Sequence, residues 1–215
     1  MFRVISVDPP WHFKTWGKTT GRSPQDHYDV MTLDDIKRIP VADLADPAGS
    51  ACVLWSIWPL GPQCFDVMRA WGFEYKTVAF VWFKRSTQGT TWHKGLGYYT
   101  RSNTEFAILG TLGDPPTVFD KGVDQLVVDV QEQLDLPGFG VTAPLLGELT
   151  DRVGQHSEKP GTPYRRLERL FGDVPRVELF ARRPRPGWVT LGNEIDGKHI
   201  NRAIADLVAE RKGDQ

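Results

Sequence analysis

Apolar residues along this chain gather in short runs: Phe2 to Val7, Ala51 to Ile57, Thr77 to Phe83, Phe106 to Leu109 and Val177 to Phe180. Each is rich in β-branched or aromatic residues, the pattern of strands buried on both faces. Between them the period changes. Cys64, Val67, Met68 and Trp71 recur at helical spacing around 61–71, and Tyr164, Leu167, Leu170 and Phe171 do so around 163–171, opened by Pro160 and Pro163. This alternation predicts an α/β fold, a mainly parallel sheet flanked by helices on both faces. Such sheets bind ligands beyond the carboxyl ends of their strands. The first strand ends there on Asp8-Pro9-Pro10-Trp11.

Two regions break the pattern. Residues 111–150 carry seven acids, Asp114, Asp120, Asp124, Asp129, Glu132, Asp135 and Glu148, against the single base Lys121. The stretch Leu136-Pro137-Gly138-Phe139-Gly140 inside it has turn chemistry and no period, so an acidic insertion or loop is expected there, facing away from any phosphate backbone. Residues 84–101 are the opposite: Lys84, Arg85, Lys94 and Arg101 with no acid, interleaved with Trp92, Tyr98 and Tyr99. Two readings fit this composition, a loop facing nucleic acid and a solvated loop whose aromatics pack down.

Length and charge narrow the class. A chain of 215 residues is expected to form one domain, 1–215. Its 26 Lys and Arg balance 27 Asp and Glu, which removes any general attraction to polyanions and makes a nucleic-acid site a local matter. Cys52 and Cys64 lie in apolar stretches without metal-ligand or disulfide spacing, as reduced core thiols of a cytoplasmic protein would. No charged-then-apolar leader opens the chain, and no apolar run approaches the roughly eighteen residues of a membrane span. A soluble protein without membrane contact is expected. His12, His27 and His156 form no metal-ligand set, so no metal is expected.

The chemistry at the first strand end can be read directly. Proline lacks a backbone N–H and fixes φ, so Pro9-Pro10 makes a stiff turn whose carbonyls can face a cleft. Asp8 adds a carboxylate acceptor and Trp11 a flat apolar face, which together suit the exocyclic amine of a planar heterocycle such as adenine. A strand-terminating turn uses the same residues. The four positions alone leave both readings open.

A wider set of motifs decides between them. Asp8-Pro9-Pro10-Trp11 is followed by His27-Tyr28-Asp29-Val30-Met31, Leu33-Asp34-Asp35-Ile36, Leu54-Trp55, Trp71-Gly72-Phe73 and Val81-Trp82-Phe83-Lys84. Then come Glu105-Phe106, His156-Ser157-Glu158-Lys159-Pro160, Glu178-Leu179-Phe180-Ala181-Arg182 and Trp188 to Glu194. In this order, through nearly the whole chain, they resemble the MT-A family of N6-adenine methyltransferases. The resemblance implies a Rossmann-like methyltransferase fold with permuted motif order, the catalytic motif first and the half that binds S-adenosylmethionine last. It accounts for the absence of G-x-G-x-x-G after the first strand.

The same resemblance implies site residues. Asp8, Pro9, Pro10 and Trp11 are the catalytic motif, with Asp8 also beside the cofactor. Ser157 and Lys159 face the cofactor, Lys159 as the partner of its methionine carboxylate. Arg182, Asn193 and Glu194 reach the ribose, with Glu194 a departure, since the messenger-RNA enzyme has an amide at that position. Tyr28 and Trp11 line the target adenine. Apart from the resemblance, the basic composition of 84–101 makes Lys84 and Arg101 the residues expected to meet the polymer. Blander roles exist for each: a surface lysine for Lys159, a basic turn or phosphate contact for Arg182, a turn residue for Asn193 and a packed ring for Tyr28.

The expected function is therefore S-adenosylmethionine-dependent methylation of adenine N6 in nucleic acid, DNA favoured over RNA, on a flipped or single-stranded base. A homodimer or partner subunit is compatible with so compact a chain. The competing readings are an RNA N6-adenosine methyltransferase, a non-catalytic nucleic-acid-binding scaffold of the same fold, and a small-molecule amine methyltransferase.

Overall fold

The computed structural model describes residues 1–12, 30–85, 91–95, 97, 99–128 and 159–213. Among them, seven strands form a mixed sheet in the order β5-β3-β4-β2-β1-β6-β7. The strands are β1 (Val4–Val7), β2 (Gly49–Ser56), β3 (Glu74–Phe83), β4 (Thr104–Gly113), β5 (Leu126–Val128), β6 (Arg176–Leu179) and β7 (Val189–Leu191). Five α-helices accompany them, α1 (Leu33–Lys37), α2 (Gly61–Ala70), α3 (Thr162–Phe171), α4 (Asn193–Asp196) and α5 (Ile200–Gly213), with short 3-10 turns at Val41–Leu44 and Trp58–Leu60. β1 pairs with β2 and β6, β6 with β7, and β3 with β5, all in parallel. Each run read as a strand is one, and both helical periods are helices.

The chain divides into two compact units, the first comprising Met1–Ala79, Ala107–Thr117 and Asp173–Gln215. Every residue of β1 and β2 is buried, most of them apolar and the rest small, with Ser6, Ser50 and Ser56 the polar side chains. Thr32 caps α1 by accepting from the Asp35 backbone N–H at 3.2 Å, where an acid-rich first turn also suits the helix dipole. α2 ends at Trp71, whose indole N–H donates to the Ile36 carbonyl at 2.9 Å and ties the two helices together. Cys64, Val67 and Met68 are the buried side of α2, as their spacing requires. Cys52 and Cys64 are free and buried thiols, and burial pushes the Cys64 pKa up to about 11.

The second unit comprises Phe80–Phe106 and Val118–Gly172. Here α3 buries Tyr164, Leu167 and Phe171, with Pro163 in its first turn where a missing N–H costs nothing. Arg166 on the same helix is buried and donates to the carbonyls of Asp124 (2.8 Å) and Leu126 (2.5 Å), fixing β5 at both its approach and its start. Arg169 pairs with Asp120 at 2.8 Å, so part of the acidic stretch serves internal pairing. Residues 129–150 of that stretch, with Tyr28 and Ser157, lie outside the described residues.

Candidate active site

Three parallel strands of the first unit, β1, β6 and β7, finish level with one another, and β2 runs beside β1 and two residues beyond it. Val7 is opposite Leu54 on one side and Leu179 on the other, and Leu179 is opposite Leu191. The residues that follow, Asp8, Phe180 and Gly192, therefore leave the sheet in one row, with Trp55 still in β2 beside Asp8. Adjacent strands are about 4.8 Å apart, so groups on neighbouring ends are within reach of one small ligand.

Asp8 heads the central strand end, half-buried, with its backbone N–H toward the Leu179 carbonyl at 3.5 Å. The Pro9 carbonyl accepts the Trp11 N–H at 2.8 Å, a tight turn between residues two apart. A carbonyl has two lone pairs, so this one retains capacity for a second donor. The Pro10 carbonyl accepts the Met31 N–H at 2.9 Å. Trp11 is 7% exposed, and its indole N–H donates to the Trp55 carbonyl at 2.9 Å. The tryptophan of the motif is thus an anchor that ties the Asp-Pro-Pro turn to the end of β2, in addition to any role for its ring. The structural reason for two prolines and a tryptophan after Asp8 is visible here: the turn is stiffened by the first and pinned by the second.

The last two strand ends hold a different set. Phe180 has φ 63°, a left-handed conformation that a bulky residue adopts only under constraint, at a cost on the order of 1–3 kcal/mol. It turns the chain off β6 toward Ala181 and Arg182. Opposite, Gly192 precedes α4, and a Cβ there would fall 2.5 Å from the Ala181 carbonyl oxygen and 3.0 Å from its nitrogen. Only glycine lets the two strand ends approach this closely. The approach brings Arg182 Nε to 4.0 Å from Glu194 Oε1, with Asn193 exposed beside it. Arg182, Asn193 and Glu194 therefore gather on the edge of the row that Asp8 heads.

The polar centre of the second unit is Glu105, at the start of β4 and 7% exposed. Lys159 Nζ lies 3.1 Å from one carboxylate oxygen and Lys84 pairs with the other. Lys84 also sits 4.8 Å from the Trp82 ring centroid, where the ring face favours a cation. Burial alone would raise the Glu105 pKa, but Lys159 and Lys84 outweigh it and hold the carboxyl below its usual range. The His93 pKa is lowered by burial and then by Lys84, against an opposing pull from Glu105.

Lys84, read from sequence as a group meeting the polymer, thus has its ammonium on Glu105, whereas Arg101 is exposed. Glu105 is the group that sequence reasoning passed over. It stands within a quoted motif, but its two partners are distant in sequence, and no local spacing marks a carboxylate that neutralises both. Among the described residues no group of three or more His, Cys, Asp or Glu is placed to hold a metal ion, and no helix is long and apolar enough to cross a membrane.

The family model MT-A70 matches residues 2–194. The chain is 28% identical over 230 residues to the type II methyltransferase M.MunI of a Mycoplasma species, covering 98% of this chain and 85% of that protein. It is 26% identical over 217 residues to the human N(6)-adenosine-methyltransferase catalytic subunit METTL3, covering 98% of this chain and 31% of that protein. The Drosophila melanogaster N(6)-adenosine-methyltransferase MT-A70-like protein matches at 26% over 199 residues and 27% of its length. The chain thus spans most of the first relative and about a third of the others. With a family model matching residues 2–194, which take in every strand and the Glu105 centre, the chain belongs to the MT-A70 family.

Proposed function

We propose that this chain transfers a methyl group from S-adenosylmethionine to N6 of an adenine in nucleic acid, DNA in preference to RNA, with the base flipped or single-stranded. The observation that carries the reading is the row of level strand ends, which sets the Asp8-Pro9 acceptors next to the cluster of Arg182, Asn193 and Glu194. The donor set suits the cofactor: a carboxylate, an amide and a guanidinium match vicinal ribose hydroxyls, which both donate and accept. Lys159 is assigned the methionine carboxylate by its motif. When bound, S-adenosylmethionine supplies an electrophilic methyl carbon.

The rest of the reaction belongs to the chain. Adenine N6 is a weak nucleophile because its lone pair is delocalised into the ring. Asp8 and the free lone pair of the Pro9 carbonyl accept its two N–H groups, hold the amine in place and stabilise the positive charge that grows on it. Asp8 is also the acceptor at hand for the proton that N6 then loses. Trp11 keeps this turn in position through its bond to Trp55. Arg101, exposed in the basic stretch, is suited to a backbone phosphate.

The near-complete coverage of a type II methyltransferase, against a third of the adenosine methyltransferase subunits, supports DNA over RNA. The scaffold reading is disfavoured by the retention of Asp8-Pro9-Pro10-Trp11 together with Arg182 and Asn193.

The test is transfer of labelled methyl to single-stranded DNA, duplex DNA and RNA of mixed sequence, with nucleoside mass spectrometry and Asp8→Ala alongside. N6-methyladenine from one polymer, lost in the variant, is the expected result. Cofactor binding without product assigns the chain a partner subunit, and absence of cofactor binding returns it to the scaffold class.

A further inference from the structure

Arg85 follows Lys84 at the end of β3 and forms an antiparallel bridge with Trp92. Its side chain is unusual for a guanidinium. The residue is only 7% exposed, and both Nε and Nη2 are buried without a hydrogen-bond partner among the described residues. Its guanidinium carbon lies 4.1 Å from the Trp92 ring centroid, and the Trp92 ring is met edge-on by Phe83 at 6.0 Å. Stacking on an aromatic face satisfies part of the charge and none of the N–H donors. Glu105, the buried acid among this unit's described residues, already carries Lys84 and Lys159. Buried donors left unmade are costly, and a native structure that keeps them has a use for them or a ligand that completes them.

We propose that Arg85 is a phosphodiester-binding residue, parked on Trp92 until single-stranded nucleic acid supplies the acceptor its two donors lack. The inference rests on the nucleic-acid substrate proposed above and names a contact that reading does not require. The ligand is an anion because no acid occurs from Lys84 to Thr104, while Lys94 and Arg101 are exposed on the same stretch. It is a phosphate because a planar fork binds two of its oxygens at once, which a point charge cannot do. It is single-stranded because a guanidinium that leaves Trp92 frees an indole face for an unpaired base, and Tyr99 stands fully exposed nearby in sequence as a second ring.

The experiment is anisotropy titration of labelled single-stranded DNA, and of RNA of the same sequence, over a series of salt concentrations with wild type, Arg85→Met and Arg85→Lys. Arg85→Met should weaken binding about tenfold and lower the salt slope by about 0.7, the signature of one lost phosphate contact on a single strand. Arg85→Lys should recover the slope and only part of the affinity, having the charge without the fork. Without nucleic acid, Arg85→Met should melt at or above the wild-type temperature, because it removes donors that have no partner.

Unchanged affinity and slope in Arg85→Met, with wild type binding normally, overturns this proposal and leaves the methyltransferase reading intact. A lower melting temperature for Arg85→Met makes Arg85 a structural residue and overturns it as well. If wild type binds neither polymer, the substrate reading fails first and this inference with it. A slope change on both polymers assigns the phosphodiester itself, and a change on one adds the sugar to the recognition.

Discussion

At the strand ends of the first unit, Asp8 and Arg182 are half-buried and Glu194 is exposed, and what sets their spacing is backbone: four strands in register, a tight turn after Pro9 and a glycine at 192. In the second unit, Glu105 and Lys159 are buried and hold each other by charge, with Lys84 on the remaining oxygen. Groups placed by backbone can be exchanged without moving their neighbours. Groups placed by charge cannot, since removing one leaves the others buried and unbalanced. The two regions should therefore answer substitution differently, the first in chemistry and the second in stability.

The largest effect is expected where the difference is sharpest. Glu105→Gln should destabilise the fold by roughly 3–5 kcal/mol, the cost of leaving buried cations without their counter-charge, measured by denaturant unfolding. A pH series refines this. The Glu105 carboxyl is held below its reference value of 4.5, burial being outweighed by Lys159 and then Lys84. A depressed carboxyl contributes stability that is full above the unfolded pKa and is lost as pH falls through the folded one. The wild-type melting temperature should thus drop below about pH 4.5 more steeply than that of Glu105→Gln; parallel profiles would remove the charge argument.

Asp8→Ala should do the reverse, reducing methyl transfer by at least about a hundredfold, or about 3 kcal/mol, with a melting temperature near wild type. A variant that unfolds would place Asp8 with Glu105 on the charge-held side of the comparison. Gly192→Ala tests the backbone itself. Its Cβ would meet the Ala181 carbonyl at 2.5 Å, so the two strand ends must part, at a cost of about 1–3 kcal/mol. Cofactor affinity, read by calorimetry, should fall more than stability does. Glu194→Gln should have the smallest effect, under about 1 kcal/mol on stability, because an exposed ion pair at the limit of contact contributes little.

What the chain discloses before folding differs between these regions too. β1, β2 and β6 are legible because buried strands must be apolar on both faces, and α2 and α3 because their buried positions repeat at helical spacing. β7 and β5 escape notice since three residues carry no period, and β5 lies inside an acid-rich stretch. α5 is silent for another reason: its buried side, Ile200, Ala203 and Ile204, is short and stands among charged residues. The start of β3, Glu74 to Thr77, is exposed and polar, so the strand is longer than its apolar part.

For the site, local chemistry named Asp8-Pro9-Pro10-Trp11, and resemblance named Arg182, Asn193 and Glu194. Neither could state that Trp11 spends its N–H on Trp55, that Gly192 sets the approach, or that Glu105 neutralises two lysines. These are facts of tertiary distance. Arg85 sat in plain view within a basic stretch, and only its burial distinguishes it from Lys94 and Arg101.

The position of β1 between β2 and β6 has a kinetic consequence. Its partner on one side lies about 45 residues away and on the other about 170, so β1 joins a near neighbour to a strand far along the sequence. During synthesis the first strand can pair with β2 early, yet its other row of N–H and C=O groups stays open until β6 leaves the ribosome. The strand that leads into the Asp8 motif is thus completed only once β6 is available, and folding should be slow and cooperative, waiting on a pairing of large sequence separation.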